Sequence, residues 1–205
     1  MKMDKTRLKI QLSKLKGFEH PKPELEQYVT PGDIAADVLW NAFMLDDVED
    51  KIILDPCCGT GVLGIGALLL GAKFVYFNDY DVDAITVLKK NLKLFPEFDG
   101  KYSIMKEEVP GPRLEKIDVI IQNPPFGTKI KHADKMFLEF GFNLSPIIYS
   151  LHKVESQKFI DKLSKDNGFS LTHMWLYDFE LPMTMQFHKK KLERIRVACF
   201  RMERK

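Results

Sequence analysis

The sequence predicts an α/β fold, a mostly parallel sheet covered by helices on both faces. Three observations carry this. Short β-branched runs alternate with longer stretches of helical spacing from residue 51 to residue 166. A glycine-rich turn, Asp55-Pro56-Cys57-Cys58-Gly59-Thr60-Gly61, stands where the first such run passes into a helix. Strands joined through helices in this way pair in parallel, because a crossover returns each strand to the same end of the sheet.

The elements follow in order. Leu8, Leu12 and Leu15 share one face of a helix over the first ~20 residues. Gly17, Pro21 and Pro23 then break the chain. A second helix is expected after Thr30-Pro31, with Thr30 as N-cap and a buried stripe of Ile34, Ala35, Val38 and Leu39. Lys51–Asp55 reads as a strand, Val62–Leu70 as an apolar helix ended by Gly71, Phe74–Asn78 as a strand, and Val82–Leu94 as a helix. A weaker strand near Tyr102–Lys106 precedes a strong one over Asp118–Gln122. Lys135–Asn143 and Glu155–Asp166 are helical, with Ile147–Ser150 extended between them. Phe169–Asp178 and Arg194–Met202 alternate as a closing strand pair, which would be antiparallel; Trp175 and Tyr177 read as packing residues. The expectation is one domain over 1–205, a helical extension (1–50) over a ligand site and a doubly covered sheet (51–205).

Composition excludes several classes. At 45% hydrophobic and 29% charged residues the chain suits a globular protein, and no apolar run approaches the ~20 residues of a membrane helix. The charged start lacks a signal-peptide core. Cys57, Cys58 and Cys199 form neither a disulfide framework nor a zinc-ligand pattern, so no metal is expected, and a reducing, cytoplasmic setting fits. The net charge of +2 conceals an asymmetry: residues 1–22 hold seven Lys/Arg and two acids, and residues 188–205 hold eight and two. If the ends meet in space, they form a patch for a polyanion.

Gly59, Gly61 and Gly64 spell G-x-G-x-x-G, with Asp79 twenty residues after Gly59. That pattern alone also fits a dinucleotide site. Asp55 shifts the balance, since a carboxylate four residues before the first glycine repels a pyrophosphate but suits a cation. S-adenosylmethionine carries an ammonium and a sulfonium at its methionine end. Asp79 and Asp81 end the second strand where a carboxylate can hold ribose hydroxyls, with Asp79 favoured; Glu107 or Glu108 could take the adenine amino group.

The strand ending at Gln122 runs into Asn123-Pro124-Pro125-Phe126, the pattern of methyltransferases that act on planar nitrogens. The Asn123 side-chain carbonyl and the Pro124 backbone carbonyl can hold an exocyclic NH₂ and aim its lone pair. Two prolines stiffen the loop, and Phe126 offers a stacking face. An adenine would have to be splayed out of any duplex to reach these groups. A strong general base is not needed, because the sulfonium is an excellent leaving group.

The chain resembles the family of methyltransferase-like protein five, small-subunit ribosomal RNA adenine-N6 methyltransferases with archaeal relatives. The resemblance runs through Gly17-Phe18-Glu19, Leu25-Glu26-Gln27-Tyr28 with Thr30, Gly61-Val62-Leu63, Asp79 and Asp81. It continues through Asn123 to Lys129, Tyr149 to Lys153, and Phe187 to Lys191. It implies a class I, Rossmann-like methyltransferase fold with a seven-stranded sheet, S-adenosylmethionine as donor, and an archaeal source. It also implies donor contacts at Gln27, Thr30, Cys57, Thr60 and Val62, although Cys57 stands where the family usually has glycine. RNA phosphate contacts are implied at Lys129, Lys131, Lys189, Lys190, Lys191, Arg194 and Arg196. Eukaryotic members work with a small zinc-binding activator protein, for which the edge strand near Tyr102–Met105 would be the dock. His152 and His188 read first as structural histidines. The rival activity is methylation of a protein glutamine, whose amide is chemically similar; a peptide groove would not need basic termini. A non-catalytic RNA-binding subunit would not need the intact tetrapeptide, and an NAD-dependent dehydrogenase would leave Asp55 and that tetrapeptide unexplained.

Overall fold

The computed structural model describes residues 3–111, 114–126, 133–182 and 192–205. It contains helices α1 (Lys5–Leu12), α2 (Gly32–Met44), α3 (Val62–Leu69), α4 (Val82–Leu92), α5 (Ala133–Leu144) and α6 (Gln157–Asp166). The strands are β1 (Ile52–Asp55), β2 (Phe74–Asn78), β3 (Tyr102–Met105), β4 (Val119–Gln122), β5 (Ile147–Lys153), β6 (Phe169–Pro182) and β7 (Leu192–Arg204). They form a seven-stranded sheet in the order β3-β2-β1-β4-β5-β7-β6. The first five strands pair in parallel; β7 enters antiparallel between β5 and β6.

The period of two along each strand decides which side chains meet which helices. Ile53, Val119, Ile121, Tyr149 and Leu151 belong to one apolar cluster with residues of α1 to α4, including Leu8, Leu39, Ile65 and Leu88. Their neighbours Leu54, Ile120 and Ile148 face the other way, against Leu138 and Phe142 of α5 and Ile160 of α6. Helices α1 and α2 share the first cluster with the sheet, so the N-terminal segment is packed onto it.

The chain steps outward from β1 to β2 and β3, then returns to place β4 on the other side of β1. Connections diverge at that point, which opens a crevice beyond the carboxyl ends of the strands. The turns after β1 and β4 both lie there. At the other end of the sheet β6 and β7 outrun their neighbour: β5 pairs with β7 only as far as Val197, while β6 and β7 stay paired to Pro182 and Leu192. The surplus forms a two-stranded arm.

Some boundaries differ from the reading of the sequence: α1 ends at Leu12, so Leu15 lies beyond it, and α6 begins at Gln157 after a short 3₁₀ turn, Val154–Ser156. Helix α2 has Pro31, not Thr30, at its N-cap, without a side-chain hydrogen bond. The Thr30 hydroxyl meets Asn123 instead. Among the described residues, no helix is long and apolar enough to cross a membrane.

Candidate active site

The turn after β1 is shaped by its glycines and acids. Gly61 has φ +91°, and a Cβ there would stand 2.3 Å from Leu88 Cδ1, so only glycine lets the chain turn into α3 at this point. The Gly59 amide donates to Asp79 Oδ2 at 2.8 Å and the Asp81 amide donates to Asp79 Oδ1 at 3.0 Å. Asn78, at the end of β2, donates through Nδ2 to the carbonyls of Pro56 and Glu107 and accepts the Glu107 amide. One buried amide thus fixes the two turns that follow β1 and β3.

Over these turns lies the segment between α1 and α2. Asn91 holds its start, donating to the carbonyls of Lys16 and Thr60 and accepting the Lys16 amide. Lys22 pairs with Asp81 at 2.6 Å and with Asp83 at 2.8 Å, and Gln27 Nε2 donates to Asp81. The covering segment and the turns enclose a cleft.

Gln27, Thr30, Asp55, Cys57, Gly59, Thr60, Val62, Asp79 and Glu107, all expected at a donor site, line this cleft together with Asn123 and Pro125. Gly61, Asp81, Glu108, Pro124 and Phe126 are not on its lining. Gly61 serves the turn. Asp81 caps α4 through its bond from the Asp83 amide and ties down the covering segment. Burial pushes the Asp81 carboxyl up, but the bonds from Lys22 and Gln27 outweigh it and hold the group below the usual range. Glu108 is exposed. Phe126 packs on Tyr28, with ring centroids 5.1 Å apart, and meets Phe179 edge-on at 6.5 Å.

Of the expected RNA contacts, Lys129, Lys131, Lys189, Lys190 and Lys191 lie outside the described residues, as does His188. Arg194 and Arg196 lie on β7, opposite Glu180 and Asp178 of β6, and Arg196 is exposed. His152 is buried under the sheet, its Nε2 2.6 Å from Ser150 Oγ, and loss of solvent pushes its pKa down to about 3. Trp175 stacks between Tyr149 and His173 as a packing residue.

The cleft is acidic. Burial, opposed by the Gly64 amide and, more weakly, the Cys57 amide and aided by Asp79 nearby, pushes the Asp55 carboxyl up to about 8. Asp55 Oδ2 accepts that amide, whereas Oδ1 is buried without a partner. Asn123 donates through Nδ2 to Thr30 Oγ1 at 2.9 Å, and its Oδ1 is likewise buried and unpaired. Buried acceptors without donors are costly in a folded protein and mark places where a ligand supplies the missing hydrogen. The cleft therefore offers one acceptor suited to a cation and one suited to an amine N–H. Reading the sequence missed Phe18, Tyr28, Val109 and Phe137 on the lining, and Asn78 beneath it. Asn78 had a visible signal, an amide ending an apolar strand, and Phe18 and Tyr28 stand inside segments that carry the family resemblance.

Residues 32–145 match the family described as Conserved hypothetical protein 95. The chain is 36% identical over 98% of its length to the uncharacterised protein MJ0284 of Methanocaldococcus jannaschii, covering 94% of that protein. It is 35% identical over 93% of its length to the rRNA N(6)-adenosine-methyltransferase METTL5 of Danio rerio, again covering 94%. The solved structure of PH1948 from Pyrococcus horikoshii, named as a candidate RNA methyltransferase, superposes with a TM-score of 0.91 at 45% identity, covering 100% of this chain and 99% of that one. Identity at this level over whole chains, together with the class I methyltransferase architecture, places this protein in the METTL5-type family of rRNA N6-adenosine-methyltransferases and their archaeal relatives.

Proposed function

We propose that this protein is an S-adenosylmethionine-dependent methyltransferase acting on the N6 amine of an adenine in small-subunit ribosomal RNA. The observation that carries the reading is the unpaired Asn123 Oδ1, buried in the cleft wall and held from behind by Thr30. An amide fixed through its nitrogen presents its oxygen as an acceptor. The target amine can donate one N–H to Asn123 Oδ1 and the other to the Pro124 carbonyl, which leaves its lone pair free to point along the transfer axis. Pro124 and Pro125 stiffen this arrangement before substrate arrives.

The cleft suits the donor at its other acceptor. Asp55 Oδ1 would hold the ammonium, Asp79 and Glu107 the ribose and adenine ends, and the glycine turn the close backbone approach. When bound, S-adenosylmethionine supplies an electrophilic methyl whose bond to sulfur breaks as the new N–C bond forms, leaving a neutral thioether. The amine proton passes to water afterwards.

Two features support RNA as substrate. The β6–β7 arm stands beside the catalytic loop, because Phe179 packs against both Tyr28 and Phe126. In the sequence the two strands of that arm are joined through the basic run Lys189 to Lys191, which suits a polyanionic substrate. The strand β3 is a sheet edge and half-buried throughout, which suits strand addition by a small zinc-binding activator. Ribosomal RNA as substrate agrees with a cytoplasmic location.

The test is transfer of labelled methyl from S-adenosylmethionine to unmodified small-subunit ribosomal RNA, followed by nucleoside analysis, with and without a candidate zinc-binding partner. N6-methyladenosine at one site is the expected product. Label in a translation-factor glutamine and none in RNA would replace this reading with the protein-methylating one. Full activity of the chain alone would exclude an obligate activator.

A further inference from the structure

We propose that the Tyr28 hydroxyl is the hydrogen-bond donor that receives the carboxylate of the methionine end of S-adenosylmethionine. This rests on the donor site proposed above and assigns a residue that the donor motifs do not include.

The argument starts from charge. Glu26, Asp55, Asp79 and Glu107 line the cleft, and no Lys, Arg or His is among its described lining residues. An amino-acid end brings a carboxylate as well as an ammonium. Asp55 answers the ammonium but repels the carboxylate, so the carboxylate must be met by a neutral O–H or N–H. Three polar side-chain atoms on the lining are buried without a partner: Asp55 Oδ1, Asn123 Oδ1 and Tyr28 Oη. The first becomes an acceptor-only carboxylate oxygen when Asp55 gives up its proton to bind the ammonium, the second is an amide oxygen that can only accept, and the third carries a proton to give. The two side-chain amides on this wall are engaged, and among the lining hydroxyls Tyr28 Oη is the one buried without a partner. Gln27 Nε2 is on Asp81, and the Asn123 amide nitrogen is on Thr30.

The geometry of Tyr28 suits the task. Its ring is held between Phe126, at 5.1 Å, and Phe179, at 5.9 Å and nearly perpendicular, so little ordering of the side chain is left to be done when a ligand arrives. Burial, with Glu26 and Cys57 nearby, drives the phenol well above its usual range, which keeps the proton in place at any working pH. A hydroxyl left unpaired in a buried wall is a cost that a carboxylate would relieve.

The test is calorimetric binding of S-adenosylmethionine and of decarboxylated S-adenosylmethionine to the wild type and to Tyr28→Phe. The wild type should bind the intact donor about tenfold or more tightly than the decarboxylated one, the size expected of a hydrogen bond to a charged group. Tyr28→Phe should lose that advantage and bind the decarboxylated compound as the wild type does. An equal loss for both ligands would reduce Tyr28 to a packing residue and overturn the proposal, as would no loss for either. If the variant does not fold, the wild-type gap still decides, since equal affinity for the two ligands contradicts a carboxylate contact. A wild type that binds neither ligand would overturn the donor site itself, a separate and recognisable failure.

Discussion

The Asn123 side-chain amide donates to the Thr30 hydroxyl at 2.9 Å across a sequence separation of ninety-three residues. This bond joins the catalytic loop after β4 to the segment that covers the cleft. It turns the amide so that Oδ1 is the atom left to face a substrate amine.

Asn123→Ala removes that acceptor. The expected result is a fall in kcat of about a hundredfold or more, the scale of losing one preorganised hydrogen-bonding group. Affinity for S-adenosylhomocysteine should stay within a few-fold of wild type. Thr30→Val keeps Asn123 but releases its anchor, and should lower kcat about tenfold because reacting groups lose alignment. Thr30→Ser should restore most of the loss. Steady-state kinetics on ribosomal RNA, with donor affinity measured separately, checks all three; unchanged turnover in Asn123→Ala would remove it from the mechanism.

The buried Asp55 predicts a proton linked to ligand binding. Its carboxyl titrates near 8 in the free protein, well above the ordinary range near 4. A group raised on folding contributes stability at low pH that is lost as pH rises, so the ligand-free protein should grow less stable between about pH 4 and pH 8. Asp55→Asn should flatten that dependence in thermal melts. Binding of the ammonium of the amino-acid end favours the ionised Asp55 carboxylate. Calorimetry at pH 7 in buffers of different ionisation enthalpy should therefore register release of about one proton on S-adenosylhomocysteine binding, absent in Asp55→Asn.

Gly64 marks where α3 and β2 pack most closely. A Cβ there would lie 2.2 Å from Cε1 of Phe77, a fully buried ring with no room to yield. Gly64→Ala should cost about 2 kcal/mol or more, as overpacking does in a tight core. Denaturant melts would read the loss. Preserved stability would mean that the two elements can separate without strain.

A second core lesion concerns the pair between Asp47, just after α2, and Arg201 of β7. Arg201 Nε reaches Asp47 Oδ2 at 2.8 Å, and the two side chains are only 7% and 6% exposed. The Tyr149 hydroxyl donates to the same carboxylate oxygen at 2.6 Å. Asp47→Ala leaves the buried guanidinium with Glu203 as its remaining carboxylate and the Tyr149 hydroxyl without its acceptor, and should destabilise by about 3 kcal/mol. The surface pair Lys162–Asp166 should be worth less than about 1 kcal/mol when broken. Thermal denaturation of the two variants side by side gives the contrast.

The sequence by itself determined the elements and the chemistry of the two turns. Alternation of Ile53 with Leu54, and of Ile120 with Ile121, is a local pattern that assigns faces without knowledge of the partners. The acid before the glycines and the Asn-Pro-Pro-Phe run are contiguous, so their meaning could be read residue by residue. Tertiary structure alone decided what those residues touch. Thr30 reads as a helix cap because caps are local, yet its hydroxyl is claimed by Asn123. Asp79 and Asp81 both read as ribose candidates because they follow a strand, with Asp79 favoured, and only the tertiary structure brings Lys22 and Gln27 of the covering segment onto Asp81. Tyr28 stands in a segment that carries the family resemblance but reads there as no ligand contact, and its ring is held by Phe126, from the loop after β4, and Phe179, from β6. Hydrogen bonds and desolvation depend on which groups meet in space, and those meetings are fixed when the sheet brings β1, β4 and the N-terminal segment to one crevice.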